Sequence, residues 1–591
     1  MVPIFPTHVV SGQVMGKNKS DFLSVTGLVV VALFCFGAGL KWGLPSKQRN
    51  MLYFSGPGEI LTLRQQLKNY QVEQAWKGMG SYLVLHPEEA EKKLPRSLYN
   101  PIRSYHPDEY FVLKSLATMK PSRFDFHPHQ FGVGGFYLYS VGAIIFLLSR
   151  INLVKVSQDL DFAFTNPDDF GNLYLCGRCL TVFYGVATIL LFYLLARRLL
   201  KNSASATIAG LMLTFTPLMI LNTHYMYVDI PALFWVTATI YFTFLFLETR
   251  LLRWLALAGL NAGLSFGCKF SLLVTLVIPL AGVFCSCFPL RRILLSLLLV
   301  LGAFAASFIL TNPYFILAFP EPLIDLGQHT GRSFEGKFYL HALVAGLGWP
   351  LCAFLLIGFL GSFFVLLSGG IKERKFLALL FFWTVFFFLF LSCFSKNFAR
   401  YLLPLVPGLF LIGVRGWEML LLNRKCIPGK KIFSLIVSLV SASTIFFGLG
   451  YLSLFLKENV RFRAGVWMKQ NLPSGCQLGV TEVPWQFQMP DFNPQHFDLV
   501  LCGYDSGKLQ RLKPEYFILS SFQAPVAPFP VKLNKEKVIF WEEFNVSGCY
   551  QPLKIFRVKA SFLGLDMQPE KLPEDLLYLN PTIIIFQRVR P

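Results

Sequence analysis

Four short stretches gather side chains able to do acid–base or phosphate chemistry in an otherwise apolar chain. Residues 104–111 read SYHPDEYF, which sets His106, Asp108 and Glu109 around a proline. Two readings fit. Pro107 suits a helix start, with Asp108 and Glu109 complementing the helix N-terminus. Alternatively, one carboxylate is a base and its neighbour tunes its proton affinity or holds a cation. The motif alone leaves both open. Tyr110, Leu113, Leu116 and Ala117 follow at helical spacing, so an amphipathic surface helix is expected there.

The second stretch, RFDFHPHQFGVGGFYLY at 123–139, spaces Asp125, His127 and His129 two apart. An extended segment would bring them to one edge, as a metal site needs; plain interfacial polar residues are the competing reading. Gly132, Gly134 and Gly135 then permit close backbone approach. In NTHYMYVDIP, 222–231, His224 and Asp229 stand between apolar runs. A carboxylate so near lipid is a functional suspect, although DIP also suits a helix cap. In FSKNFARYLLP, 394–404, Lys396 and Arg400 are four apart. Such a pair can grip a phosphate, Arg with a bidentate fork, or merely snorkel to lipid head groups.

The elements that must position these groups are membrane helices. The 591 residues are 54% hydrophobic and 16% aromatic, only 15% are charged, and mean hydropathy is +0.52. Soluble domains carry about 25% charge, so much of the chain belongs in lipid. Apolar runs fall at 21–41, 131–150, 171–196, 204–222, 228–247, 252–268, 270–289, 291–311, 341–367, 376–394, 400–420 and 431–456, which sets the expectation at eleven to thirteen spans. The net charge of +21 sits largely at their ends, as in RRLLK, KERK and NRKCIPGKK. That is the pattern of loops beside anionic lipid, and it excludes nucleic acid as a partner. The twelve cysteines lie mostly in apolar runs without a CxxC pattern and read as buried hydrophobes.

The expected organisation is a cytoplasmic N-terminus (1–20), a transmembrane body (21–456) with a large outer loop (42–130), and a soluble α/β domain (457–591). In that domain NVRFRAGVWMKQNLPSG reads as a helix, and CQLGVTEV, FDLVLCG, PEYFILSS and TIIIFQRV read as strands. The positive-inside rule puts the N-terminus inside and the last domain outside, which an even number of spans cannot satisfy. The segment 252–289, interrupted by Gly263, Gly267 and Lys269, is the suspected re-entrant piece.

The ordered motifs HPDEY, HPHQFGVGGFYLY, LCGRCL…LLARRL, THYMYVDIPALF, GLSFGCKFSLL, TNPYF, ARYLLPLVP, AGVWMKQNLPSG and LPEDLLYLNPTIIIFQRV resemble the GT-C glycosyltransferases. The likeness is to the protein-mannosyltransferase and lipid A aminoarabinose transferase-like group. The resemblance implies a mainly α, polytopic GT-C fold and an inverting transferase. It would take a polyprenyl-phosphate sugar donor to a glycan, lipid or protein acceptor at the outer face. It implies Asp108 as general base with Glu109 beside it, Lys396 and Arg400 on the donor phosphate, and His106, His224, Asp229, Lys269 and Tyr401 around the substrate. Some relatives keep a metal-associated acid where this chain has Asp125, His127 and His129, so a divalent metal ion is an open expectation. A bacterial inner membrane is the expected location. A transporter or flippase of a lipid-linked substrate is the alternative, disfavoured because the polar groups gather at one face rather than the midplane.

Overall fold

A computed structural model describes residues 19–62 except 57, residue 65, residues 100–525 except 158–159, 201–202, 287, 328–330, 332, 369, 396 and 423–426, and residues 535–566 and 572–589. Lys396 and most of the expected N-terminal segment, 1–20, lie outside the described residues.

Helices dominate, as runs of unbroken apolar residues with internally satisfied backbone require in lipid. Among the described residues six are long and apolar enough to cross a membrane: Pro167–Leu199, Asp229–Thr249, Leu290–Thr311, Glu373–Ser392, Ala399–Leu420 and Lys431–Asn471. Two bent pairs bring the number to eight, and Asp21–Gly37, Gly135–Arg150 and Phe270–Phe284 are shorter apolar helices. Against the eleven to thirteen spans expected, several apolar runs among the described residues are broken or short rather than single long helices. Ser203–Thr214 turns by 59° into Pro217–Thr223, where Pro217 lacks the N–H to continue the ladder. Gly336–Leu347 turns by 116° into Trp349–Phe364 through Gly348, whose φ of +83° suits glycine. The segment suspected of re-entry does break at Lys269, between helix Leu252–Cys268 and a 3-10 turn Phe270–Leu276.

The C-terminal domain contains β1 (Gln477–Val480), β2 (Asp498–Leu501), β3 (Tyr516–Ser520), β4 (Tyr550–Phe556), β5 (Ser561–Phe562), β6 (Leu565–Asp566) and β7 (Ile583–Arg588). Five form one sheet in the order β2-β1-β3-β7-β4, with β1 parallel to β2 and β3 and β7 antiparallel to β3 and β4. All four strands read from sequence are present, as is the helix Val460–Asn471. The unforeseen β4 contains Pro552, and it lies at the sheet edge with a register shift there, where proline is tolerated.

A buried carboxylate joins this domain to the first loop. Asp491 accepts from Arg49 Nε and Nη2 at 3.2 and 3.1 Å, from Tyr53 Oη at 2.5 Å and from the Tyr105 hydroxyl. Such a pair is tolerable away from water because its oxygens are hydrogen-bonded.

Candidate active site

Four charged side chains from four separate segments of the chain meet at one place. Asp108 caps the helix Glu109–Thr118 by position, but its carboxylate makes no capping hydrogen bond. Asp108 Oδ2 instead accepts from Arg400 Nη2 at 2.8 Å. Arg400 Nε lies 3.5 Å from Asp229 Oδ2, and Asp229 Oδ1 accepts from Lys269 Nζ at 2.5 Å. Aromatic rings wall the cluster: Phe398 lies 4.2 Å and Tyr227 5.5 Å from the Arg400 guanidinium carbon, and Tyr401 lies 4.1 Å from Lys269 Nζ.

Local sequence explains each placement. The break after Cys268 leaves Lys269 in extended backbone rather than on a helix face. Gly134 lets the helix Gly135–Arg150 begin against that break: a Cβ there would lie 2.2 Å from Gly267 O and 2.4 Å from Cys268 O. Its N–H donates to Cys268 O at 3.1 Å. Asp229 opens the helix Asp229–Thr249. Arg400 rides on the 3-10 segment Ala399–Leu405, whose first two N–H groups donate to Asp575 at 3.0 and 2.9 Å.

The cluster balances two cations against two carboxylates, yet it is not saturated. Arg400 is buried, and its Nη1 has no hydrogen-bond partner among the described residues. That nitrogen is free to donate to an acceptor, water or ligand, that enters the cluster. Asp108 keeps 22% of its side chain exposed. Burial raises its carboxyl above the ordinary value, while Arg400 pulls the other way. Burial lowers the Lys269 ammonium, opposed by Asp229. One carboxylate with raised proton affinity, beside a guanidinium with a spare donor, can both accept a proton and hold an anion.

Other expected site residues have different positions. Glu109 is fully buried and saturated: it accepts from Arg178 Nε and Nη2 at 2.7 and 2.6 Å, from Ser104 Oγ at 2.6 Å and from the Met226 N–H at 2.6 Å. This corrects its assignment beside Asp108 in the chemistry, since no lone pair faces a substrate. It clamps the first loop to the helix Pro167–Leu199. His224 is likewise removed from the cluster; it stacks on Phe455 and reaches Ile220 O and Ala38 O at 2.6 and 2.8 Å. His106 is buried between Tyr225 and Tyr578, with ring centroids at 4.2 and 5.3 Å, and burial holds it well below its usual pKa. Tyr401 does line the cluster.

The metal expectation changes membership. His127 and His129 stack at 3.9 Å, but the third group is Glu321, not Asp125, and the three ligand atoms lie within 4.8 Å of one another. Asp125 instead accepts from the His127 N–H at 3.0 Å. Two imidazoles and a carboxylate are a zinc-type donor set, so the residues fit a divalent ion in kind. His127 Nδ1 accepts from the His129 N–H at 2.9 Å, which leaves Nε2 to face Glu321 at 3.5 Å.

Sequence reasoning missed Asp575, Arg178 and Tyr227. Arg178 was signalled only as a charge inside an apolar run, LCGRCL, and Asp575 only as an acid in LPEDLLYLNP near the chain end.

Residues 170–316 match a family model described as dolichyl-phosphate-mannose-protein mannosyltransferase. No curated protein matches the chain. Among solved structures, ArnT from Cupriavidus metallidurans in the apo state is 13% identical, with a TM-score of 0.40 over 74% of this chain and 72% of that one. The same protein bound to undecaprenyl phosphate is 11% identical, with a TM-score of 0.39 over 95% and 97%. The oligosaccharyltransferase AglB from Archaeoglobus fulgidus, in complex with an inhibitory peptide and a dolichol-phosphate, is 13% identical, with a TM-score of 0.42 over 76% and 68%. The matched segment carries Arg178, Asp229 and Lys269, and this match supports the resemblance of the chain to the GT-C membrane glycosyltransferases.

Proposed function

We propose that the protein is an inverting glycosyltransferase that moves a sugar from a polyprenyl-phosphate donor to an acceptor hydroxyl at the extracytoplasmic face of a membrane. The observation that carries this reading is Arg400: buried, held by two carboxylates, and with a guanidinium nitrogen lacking a partner among the described residues. An anion belongs there. A sugar phosphate is an activated donor, so the site needs only a base and a grip on the departing phosphate.

Asp108 takes the proton of the acceptor hydroxyl as its oxygen attacks the anomeric carbon. The bond from that carbon to the phosphate oxygen breaks on the opposite face, and the phosphate leaves as an anion on Arg400 and Lys396. Asp108 and the donor phosphate compete for Arg400. Donor binding withdraws the guanidinium from Asp108, and because Arg400 lowers the proton affinity of that carboxylate, its withdrawal makes Asp108 a stronger base. Lys269 holds Asp229, and Asp229 holds Arg400 from the other side. His127, His129 and Glu321 would hold a divalent ion and supply positive charge in the loop before Gly135–Arg150; no step above requires it.

The test is mass spectrometry of lipids retained by the full chain in mild detergent. A polyprenyl-phosphate sugar is expected in the wild type and absent from the Lys396→Ala/Arg400→Ala variant. Bulk phospholipid alone in both samples would refute the phosphate assignment. Donor retention without transfer to any acceptor would favour a transporter instead.

A further inference from the structure

The small hairpin of β5 and β6 has no part in that chemistry, yet it is built in a costly way. Its pairs are Ser561↔Asp566 and Phe562↔Leu565, and it turns through Leu563 and Gly564 at φ of +47° and +80°. Two consecutive left-handed residues make a type I′ turn, which favours Asn-Gly; a leucine in the first position is conformationally unfavourable. Here that leucine is 77% exposed, and Leu565 beside it is 58% exposed. An apolar residue in a strained, protruding position is unfavourable in water and reasonable in hydrocarbon.

The hairpin lies along the final long helix, Ile427–Leu456. Phe562 meets Phe446 edge-on at 5.2 Å, Ser453 Oγ donates to Ser561 O at 3.0 Å, and Lys457 Nζ donates to Ser561 Oγ at 3.2 Å. Phe446 lies three turns before Lys457, roughly 16 Å at 1.5 Å per residue, so the tip points down the helix toward its apolar middle. At the level of Lys457 a cleft of about 660 Å³ opens, lined by Lys457, Glu458, Arg463, Arg557, Lys559 and Asp566. Four cations there face two acids, one of which, Asp566, pairs with Lys559 at 2.6 Å.

We propose that the 561–566 hairpin inserts its leucine tip into the leaflet on the side of the C-terminal domain, and that the basic cleft above it holds the phosphate of an anionic phospholipid of that leaflet. The tip sets the depth, and the cleft then falls at head-group level, where basic side chains attract anionic lipid. The C-terminal domain is thereby held to the membrane at a further point, apart from the Asp491 junction and the Asp575 contact with the Arg400 segment.

Two measurements on the full chain test this. In the first, Leu563→Cys is spin-labelled in a background where exposed Cys179, Cys393 and Cys549 are serine, and the protein is reconstituted in nanodiscs. Collisions with oxygen are expected to exceed those with a water-soluble nickel chelate. Accessibility typical of an aqueous loop would overturn insertion. In the second, native mass spectrometry compares retention of phosphatidylglycerol and phosphatidylcholine from an equimolar mixture. The wild type is expected to prefer phosphatidylglycerol at least fivefold, and Lys457→Gln/Arg463→Gln to lose that preference. Equal retention by the wild type would overturn the cleft assignment whatever the variant does. Displacement of phosphatidylglycerol by millimolar inorganic phosphate would show an anion site without lipid selectivity and would also overturn it.

Discussion

Replacing Asp108 by Asn should move activity and stability in opposite directions. The substitution keeps the shape and removes the charge. Arg400 remains seated, because Asp229 stays 3.5 Å from its Nε and Asp575 still accepts from the Ala399 and Arg400 N–H groups. Donor affinity should therefore change no more than a few-fold. A positioned general base contributes typically ~10²–10⁴ in rate, about 3–5 kcal/mol of barrier, so kcat should fall by that factor. Stability follows from the direction of the pKa shift. Burial raises the Asp108 carboxyl despite Arg400, so the folded state favours the protonated form. That stabilisation is complete below the ordinary carboxylate pKa and is lost as pH rises through the raised value. At neutral pH the ionised group costs stability, and Asn removes the cost. The assay is release of polyprenyl phosphate from polyprenyl-phosphate sugars by protein in nanodiscs, with thermal unfolding followed in parallel. Wild-type rate should rise with pH through an acid limb lying above the ordinary carboxylate value, and that limb should vanish in the residual activity of the variant. A variant retaining more than a tenth of wild-type kcat would refute Asp108 as base. A variant with a lower unfolding temperature would refute the account of its burial.

Arg178→Ala should behave oppositely, leaving the fully buried Glu109 carboxylate without its cation; a loss of about 3–5 kcal/mol should appear as a large fall in unfolding temperature and yield. Asp575→Ala strips the acceptor from two backbone N–H groups at Arg400, and each unsatisfied donor costs about 1–3 kcal/mol; donor KM should rise roughly tenfold by that account, more than kcat falls. Gly134→Ala drives a methyl into Gly267 O and Cys268 O, so overpacking of about 1–3 kcal/mol and displacement of Lys269 should lower both unfolding temperature and turnover. Zinc added to the purified protein should bind one to one, by elemental analysis after gel filtration, and His127→Ala/His129→Ala should abolish it while Asp125→Asn does not.

The sequence by itself determined the class of this protein and singled out the charged side chains that meet in the candidate site. Apolar runs must be helices in lipid, and alternation with Gly/Pro punctuation marked four strands of the C-terminal sheet. Asp108, Arg400, the acid at Asp229 and the break at Lys269 were each legible, because charge is costly in such surroundings and stands out, whereas their meeting was not. Tertiary structure decided which of two adjacent acids faces the cluster. Nothing in HPDE separates Asp108 from Glu109; successive residues at a helix start point about 100° apart, so one meets Arg400 and the other is enclosed by Arg178, 69 residues on. The exchange of Glu321 for Asp125 beside the histidines has the same cause, since ligands converge by folding and not by spacing. Asp575, 175 residues from the backbone N–H of Arg400 that it accepts, joins the cluster only because the C-terminal domain packs back onto the membrane body.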